Sequence, residues 1–150
     1  MTTKRMASVR FFPGMAICAA LTLSLPGPAH AAQPVPVDEA FRFSIQRDPG
    51  GLALRWAALP GHYLYRDRFE AVTDAGLGLT LTTPPGERKH DPNFGDVEIY
   101  RDAVSIALPA ADLPPRGALR VTYQGCAESG FCYAPVTKTI DLRTLAVTEE

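Results

Sequence analysis

The most reactive side chains of the sequence are two cysteines, Cys126 and Cys132, which lie six positions apart. A disulfide between them closes a ring of about seven residues, and the chain-entropy model gives such a ring only about 2.4 kcal/mol of stabilisation. A small ring suits a bond that is made and broken by thiol–disulfide exchange, with Gly125 and Gly130 giving the backbone freedom. A static hairpin disulfide is also common in exported proteins. Spacing alone leaves both possibilities open.

Metal binding is the other chemistry that these residue types allow. Together with His62 and His90, the two cysteines make up the ligand count of a Cys₂His₂ zinc site. The two histidines are dispersed, however, and no tight pair of ligands supports them. The sequence therefore favours surface or loop positions for both histidines, and we expect neither a metal nor another bound cofactor.

The first 31 residues have the organisation of a secretory signal peptide. Positions 1–10 contain basic residues and no acid, positions 11–25 are uncharged and mostly apolar, and Ala29-His30-Ala31 places small residues where signal peptidase cleaves. The apolar run is shorter than the roughly 20 residues that a membrane span needs. We therefore expect export and cleavage after Ala31.

Cleavage there leaves a smaller and more acidic protein with one pair of cysteines. Residues 32–150 number 119, which suits a single domain. Cys18 is removed, so the odd count of 3 cysteines becomes one pair in a compartment where disulfides persist. Loss of the three basic residues changes the formal net charge from −1 to −4. Nucleic acid is excluded as a partner, because a phosphate-binding surface needs an excess of Lys and Arg.

The elements that must position the cysteines are predicted to be strands. Six segments alternate apolar and polar side chains with a period of two, which is typical of strands with one buried face. These segments are 41–45, 52–56, 77–81, 104–108, 119–123 and 136–142. Turn-forming Pro, Gly and Asp clusters separate them, and no stretch of ten residues has a helical stripe. We predict an all-β fold, an immunoglobulin-like antiparallel β-sandwich with Trp56 in its core.

The residues around the cysteines also form a recognisable signature. Positions 123–135 read YQGCAESGFCYAP, positions 62–66 read HYLYR, and Gly95 precedes EIYRD at 98–102. With the opening VDEAF at 37–41, these stretches closely resemble the N-terminal periplasmic domain of the DsbD family of thiol:disulfide interchange proteins. The resemblance extends from about residue 35 to 143, and the cysteine segment is its specific part.

The resemblance implies an immunoglobulin-like domain that relays electrons in the periplasm without a cofactor. Carried onto this sequence, Cys132 forms the mixed disulfide with partner proteins and Cys126 resolves it. The electron donor is then a thioredoxin-like domain, supplied in turn by a membrane-embedded reductase component. The acceptors are exported disulfide isomerases and thioredoxin-like proteins of cytochrome c maturation.

A cap loop over the cysteines is implied for positions 91–95, with Phe94 as the shield against stray thiols. Related domains often carry an acid and then an aromatic residue where this sequence has Pro92 and Asn93, which places Phe94 one step later. Asp91 is the remaining acid of the loop. Because a nearby carboxylate disfavours a thiolate, Asp91 is expected to modulate the proton affinity of a cysteine.

Two hypotheses of different classes follow. In the first, the protein is a protein-disulfide reductase whose Tyr63 and Tyr65 hydrogen-bond or pack beside the sulfurs. In the second, it is a non-catalytic exported β-sandwich that binds or chaperones other proteins and carries a structural disulfide. Arg101 and Asp102 read as an exposed ion pair, and we assign them no role.

Overall fold

The computed structural model describes residues 33–149, so the expected signal peptide at 1–31 lies outside the described residues. One short helix, α1 (Val37–Ala40), precedes the strands. The strands are β1 (Phe41–Asp48), β2 (Gly51–Ala58), β3 (His62–Tyr65), β4 (Glu70–Thr73), β5 (Glu87–Asp91), β6 (Gly95–Tyr100), β7 (Ala103–Pro109), β8 (Ala118–Tyr123), β9 (Gly125–Ala127), β10 (Val136–Asp141) and β11 (Val147–Glu149). Single 3-10 turns lie at Arg66–Arg68 and Ala110–Asp112. Within this part of the chain, no helix is long and apolar enough to cross a membrane.

Among residues 33–149 all the strand pairings are antiparallel, and they form three sheets. The first sheet has the order β1-β2-β7, the second β11-β10-β8-β4 and the third β5-β6-β3-β9. The all-β antiparallel prediction is confirmed, and five of the six predicted strands appear as β1, β2, β7, β8 and β10.

One hydrophobic core joins the inward faces of the first and second sheets. Leu54 and Ile106 come from the first sheet, and Leu119 and Ile140 come from the second. Trp56 is buried among them, as the sequence predicts, with its ring 4.8 Å from that of Phe69. Fully burying side chains of this size stabilises a fold by about 1.5–3 kcal/mol each. Leu64 of β3 and Tyr100 of β6 belong to the same core, which thereby anchors the third sheet.

The predicted strand at 77–81 is wrong. Within this segment Gly78 makes an isolated bridge to Val72 of β4, and Thr82, the residue after the segment, makes another to Ala107 of β7. Since β4 belongs to the second sheet and β7 to the first, the segment crosses from one sheet to the other and cannot pair along either. Its alternation of leucine with small residues imitates the strand period without a continuous partner.

Candidate active site

The third sheet places both cysteines beside two tyrosines. Cys126 is the central residue of β9, and the register of β9 against β3 sets it opposite Tyr63. On its other side β3 pairs with β6, which returns from β5 through a tight turn. The turn at the tip of this β5–β6 hairpin holds the segment that the sequence predicts to be the cap.

Cys126 and Cys132 are joined by a disulfide, with their Cα atoms 4.0 Å apart. The Ala127 amide donates to the Phe131 carbonyl at 2.7 Å, which closes the ring as a small hairpin. The two sulfurs differ in exposure, because Cys126 is fully buried whereas Cys132 is partly exposed. The accessible side of the disulfide is therefore the Cys132 side.

Gly125 is required for close approach rather than for flexibility, which corrects the sequence-based interpretation. A Cβ atom at this position would lie 2.4 Å from the Tyr63 carbonyl oxygen and 2.5 Å from Cζ of Phe41. Gly130 does match the expectation, since its φ is +95° and a Cβ atom there would meet nothing within 4 Å. Because Gly125 has no side chain, β9 can lie close against β3, and this sets the position of the neighbouring Cys126.

Replacing Gly125 by alanine is expected to destabilise the domain by about 1–3 kcal/mol, because overpacking forces the backbone to move. The urea midpoint of unfolding measures this loss. Gly78→Ala is the matched control, since a Cβ there meets nothing within 4 Å and φ is not positive; it should change stability by less than about 0.5 kcal/mol. Equal midpoints for the two variants would contradict the close-approach assignment.

Asp91 is a buried carboxylate at the end of β5 that connects the cap to the tyrosines. The hydroxyls of Tyr63 and Tyr65 donate to its Oδ2 at 2.8 and 2.7 Å. The amides of Asn93 and Phe94 donate to its Oδ1 at 2.8 and 3.3 Å. All four donors come from the strand beside the disulfide or from the cap, so Asp91 ties these two parts together.

The charge states in this cluster follow from burial and hydrogen bonding. Burial alone would raise the pKa of Asp91, but the hydrogen bonds from Tyr65, Asn93, Tyr63 and Phe94 together lower it below the ordinary 3.8. Burial first, and then the neighbouring tyrosine and carboxylate, raises the pKa of Tyr65 far above its ordinary value. Burial likewise raises the pKa of Tyr63. At neutral pH the carboxylate is therefore ionised and both phenols keep their protons.

Tyr65 also contacts the buried sulfur directly. Its hydroxyl oxygen lies 3.1 Å from Sγ of Cys126. Because a phenol has one proton and that proton points to Asp91, the oxygen faces the sulfur with a lone pair. The same hydroxyl would accept a hydrogen bond from the thiol of a reduced Cys126.

The cap meets the site through two different side chains. Phe94 packs edge-on against Tyr65 with ring centroids 5.1 Å apart, and the Arg68 guanidinium lies 4.7 Å from the centroid of the Phe94 ring. The side-chain amide nitrogen of Asn93 lies 3.8 Å from Sγ of Cys132. Asn93, which the sequence suggested only as a departure from related domains, is thus the cap side chain that hydrogen-bonds the partly exposed sulfur.

A charged cluster beside the third sheet was not predicted from the sequence. Arg101 pairs with Glu87 and with Glu128 rather than with Asp102, and Lys89 reaches Glu128 as well. Glu128 is the only charged residue between the two cysteines, and that position was the available signal.

Both histidines lie on strands of the third sheet, His62 at the start of β3 and His90 in β5. His90 pairs with Asp96 at 2.7 Å on an exposed part of the hairpin, and His62 lies 3.3 Å from the Tyr133 hydroxyl. Within residues 33–149, no group of three or more His, Cys, Asp and Glu side chains is arranged to hold a metal ion.

Comparison with known proteins identifies the family. The sequence profile described as thiol:disulfide interchange protein DsbD, N-terminal, matches residues 31–144. The chain belongs to this family. The resemblance seen in the sequence is confirmed over nearly the same range.

Several DsbD proteins are similar to the chain over most of its length. The DsbD of Cronobacter sakazakii is 45% identical over 127 residues, which cover 84% of this chain and 22% of that protein. The DsbD of Yersinia pestis is 41% identical over 108 residues, and DsbD 2 of Pseudomonas aeruginosa is 43% identical over 111 residues; each match covers 72% of this chain and 18% of the relative. The chain thus spans about a fifth of the length of the curated relatives it matches.

Solved DsbD structures share the fold. The reduced N-terminal domain of Neisseria meningitidis DsbD superposes with a TM-score of 0.67 at 30% identity, covering 77% of this chain and 94% of that chain. A complex between the DsbD and PilB N-terminal domains of the same organism gives 0.64 at 29% identity, covering 76% and 91%. The predicted immunoglobulin-like β-sandwich is confirmed by this likeness.

Proposed function

We propose that this DsbD-family chain is a thiol:disulfide exchange module of the periplasm, which relays reducing equivalents through the Cys126/Cys132 pair. The observation that carries the proposal is the asymmetry of the disulfide. One sulfur is buried against Tyr65, and the other is partly exposed beneath Asn93. A disulfide that only staples a hairpin needs neither a buried carboxylate beside it nor a cap above it.

Reduction of the module begins at the partly exposed sulfur. A donor thiolate attacks Sγ of Cys132, a new donor–Cys132 disulfide forms, and the sulfur of Cys126 leaves as a thiolate that takes up a proton. A second donor thiolate then attacks the donor sulfur and releases Cys132. The module gains two electrons and two protons, and the donor dithiol becomes a disulfide.

Transfer to an acceptor runs through the same atoms in reverse. The Cys132 thiolate attacks the acceptor disulfide, and one acceptor sulfur leaves as a thiolate while the other is joined to Cys132. Cys126 then loses its proton and attacks Sγ of Cys132, which frees the acceptor as a dithiol. Cys132 is the exchanging residue and Cys126 the resolving residue because only Cys132 is reached from outside.

Tyr65 and Asp91 regulate when Cys126 reacts. The hydroxyl that is held by Asp91 accepts a hydrogen bond from the Cys126 thiol, and the nearby negative charge opposes thiolate formation. Tyr63 supports this arrangement through its own hydrogen bond to Asp91. Cys126 therefore remains a thiol until a mixed disulfide at Cys132 makes attack productive.

The partners are proposed to be other exchange proteins. A thioredoxin-like domain supplied by a membrane reductase component serves as donor, and exported disulfide isomerases or cytochrome c maturation thioredoxin-like proteins serve as acceptors. That a similar domain forms a complex with a PilB N-terminal domain supports protein partners. Residues 1–31 are proposed to direct export, and we expect Edman degradation of the periplasmic protein to give Ala32 as its first residue.

The redox equilibrium of the pair with glutathione tests the proposal. Structural disulfides of secreted proteins usually have potentials below about −300 mV, whereas labile pairs are more oxidising. We expect a value above that limit. A lower value, together with no mixed disulfide, would instead favour the non-catalytic β-sandwich with a static disulfide.

Phe94→Ala is expected to speed reduction of the disulfide by dithiothreitol. The edge-on contact with Tyr65 holds the turn that places Asn93 over Cys132, and such aromatic pairs are worth about 0.5–1.5 kcal/mol. Losing this contact should raise the fraction of molecules whose cap is open, and hence the rate of reduction by dithiothreitol, about two- to tenfold. Stopped-flow tryptophan fluorescence follows the reaction, and Leu77→Ala, at a residue 63% exposed outside the site, is the control. An unchanged rate for Phe94→Ala would mean that Phe94 does not hold the cap.

A further inference from the structure

Glu128 lies inside the ring that the disulfide closes, two positions after the buried cysteine. Its amide donates to the Gly61 carbonyl at 2.8 Å, outside the ring. The next turn is closed by a hydrogen bond from the Gly130 amide to the Ala127 carbonyl at 2.9 Å. The backbone of the ring is therefore held beside the start of β3 by a contact that does not involve the sulfurs.

The Glu128 carboxylate binds two cations, Lys89 of β5 and Arg101, which directly follows β6. Arg101 donates to one oxygen, and Nζ of Lys89 lies 3.3 Å from the other. Arg101 also donates to Glu87 at 3.0 Å. Since Glu87 and Lys89 belong to β5, whose last residue is Asp91, the carboxylate joins the disulfide ring to the hairpin that carries the cap.

Both cations also lie over the ring of Tyr63. Nζ of Lys89 is 5.0 Å and Cζ of Arg101 is 5.9 Å from its centroid, within the range of cation–π attraction. The hydroxyl of the same tyrosine donates to Asp91. The group formed by Glu128, Arg101, Lys89 and Tyr63, which we name the ring clamp, thus connects the loop between the cysteines to the buried carboxylate.

We propose that Glu128 is a positioning residue that sets the redox equilibrium of the Cys126/Cys132 pair by holding the ring closed. This role rests on the proposed exchange function. It adds a residue that sets the redox equilibrium without contacting the reacting sulfurs. The ring clamp contains no sulfur, so reduction of the disulfide breaks none of its contacts.

The direction of the effect follows from the two redox states. In the oxidised protein the disulfide itself restricts the ring, whereas in the reduced protein only the ring clamp and the backbone hydrogen bonds do so. Ordering a free residue costs about 1–2 kcal/mol, and a clamp that orders the reduced ring makes disulfide formation easier. The clamp therefore favours the oxidised pair and lowers its reduction potential.

Within the clamp, the ion pair between Glu128 and Arg101 keeps both of these groups charged. The hydrogen bond from Arg101 is the main cause that lowers the pKa of Glu128, and the bond to Glu128 is the main cause that raises the pKa of Arg101. About a third of each side chain is exposed, so salt screens the pair and each contact contributes no more than about 1 kcal/mol.

Redox titration of Glu128→Gln with glutathione tests the proposal in the periplasmic protein, which after the proposed cleavage at Ala31 keeps one pair of thiols. Two glutathione molecules reduce the protein disulfide to two thiols and become one glutathione disulfide. We expect the equilibrium constant to favour the reduced pair about three- to tenfold more than in the parent, a rise of about 15–30 mV in potential. Added salt should shift the parent toward the variant and leave the variant nearly unchanged.

Two comparisons separate this role from a general loss of charge. Glu98→Gln removes an acid of the same sheet that pairs with Arg66 outside the ring, and it should leave the equilibrium unchanged. Arg101→Gln should shift the reduction potential as much as Glu128→Gln does. The double variant should shift it little further, because both single variants remove the same interaction, the Glu128–Arg101 pair.

Suppose that the parent exchanges with glutathione while Glu128→Gln has the same or a lower reduction potential than the parent. That result would overturn the clamp and leave the exchange function intact. A shift of equal size in Glu98→Gln would overturn it too. If the parent pair does not exchange with glutathione at all, the proposed function fails, and the inference fails with it.

Discussion

The Cys126→Ser protein is expected to accumulate as mixed disulfides with its partners, each joined through Cys132. In the wild type, the Cys126 sulfur is bonded to Cys132, and in the proposed mechanism it resolves such an adduct within the site. Serine fills the same buried position and cannot attack sulfur, so the adduct persists. Turnover should fall by at least about a thousandfold, in line with losing a nucleophile in other covalent mechanisms.

Periplasmic extract separated on non-reducing gels measures the outcome, and mass spectrometry of the shifted bands identifies the partners. Cys132→Ser is the matched control, because it removes the partly exposed sulfur and leaves the buried one. It should give no adducts. Adducts that form equally through Cys126 in this control would reverse the assigned roles, and no adducts in either variant would favour a static disulfide.

Asp91→Asn is expected to make reduced Cys126 react as a thiolate at lower pH. The substitution removes a buried negative charge and frees the Tyr65 proton, which can then be donated to the sulfur 3.1 Å away. Both changes favour the thiolate. In a Cys132→Ser background, the titration midpoint of Cys126, followed by its ¹³Cβ chemical shift, should fall by about one pH unit or more.

Asp96→Asn is the control for this titration. Asp96 belongs to the same hairpin and carries the same charge, but its side chain is 93% exposed and pairs with His90. It should leave the Cys126 midpoint in place. A midpoint that is the same in Asp91→Asn and in the parent would mean that Asp91 does not act on the buried cysteine.

Asp91 should also make a pH-dependent contribution to stability. Its pKa is lowered in the folded protein, so its ionised form stabilises the fold above the ordinary value of 3.8 and this contribution is lost as pH falls below it. The difference in free energy of unfolding between the wild type and Asp91→Asn should therefore shrink on acidification. Asp91→Ala should cost more, because it leaves two buried hydroxyls without acceptors, at about 1–3 kcal/mol each.

Strand alternation was sufficient to predict the sandwich. Segments such as 104–108 and 119–123 bury one face and expose the other. Alternation of apolar and polar residues with a period of two predicts this arrangement directly. The strands of the third sheet escaped this pattern. β3 is buried over most of its length and β5 consists of polar residues, so neither alternates. Resemblance to a family, rather than periodicity, pointed to positions 62–66.

The sequence by itself determined the pair of cysteines, the small ring between them, the family and the all-β class, because each is a matter of residue type and spacing along the chain. Only the tertiary structure decided that Cys126 is buried and Cys132 partly exposed, that Asp91 accepts both tyrosine hydroxyls, and that Glu128 meets Arg101 and Lys89. The physical reason is distance. These contacts join residues 26 to 39 positions apart in the sequence. The type of a charged residue does not indicate its partner, which is decided only when strand pairing brings the two together.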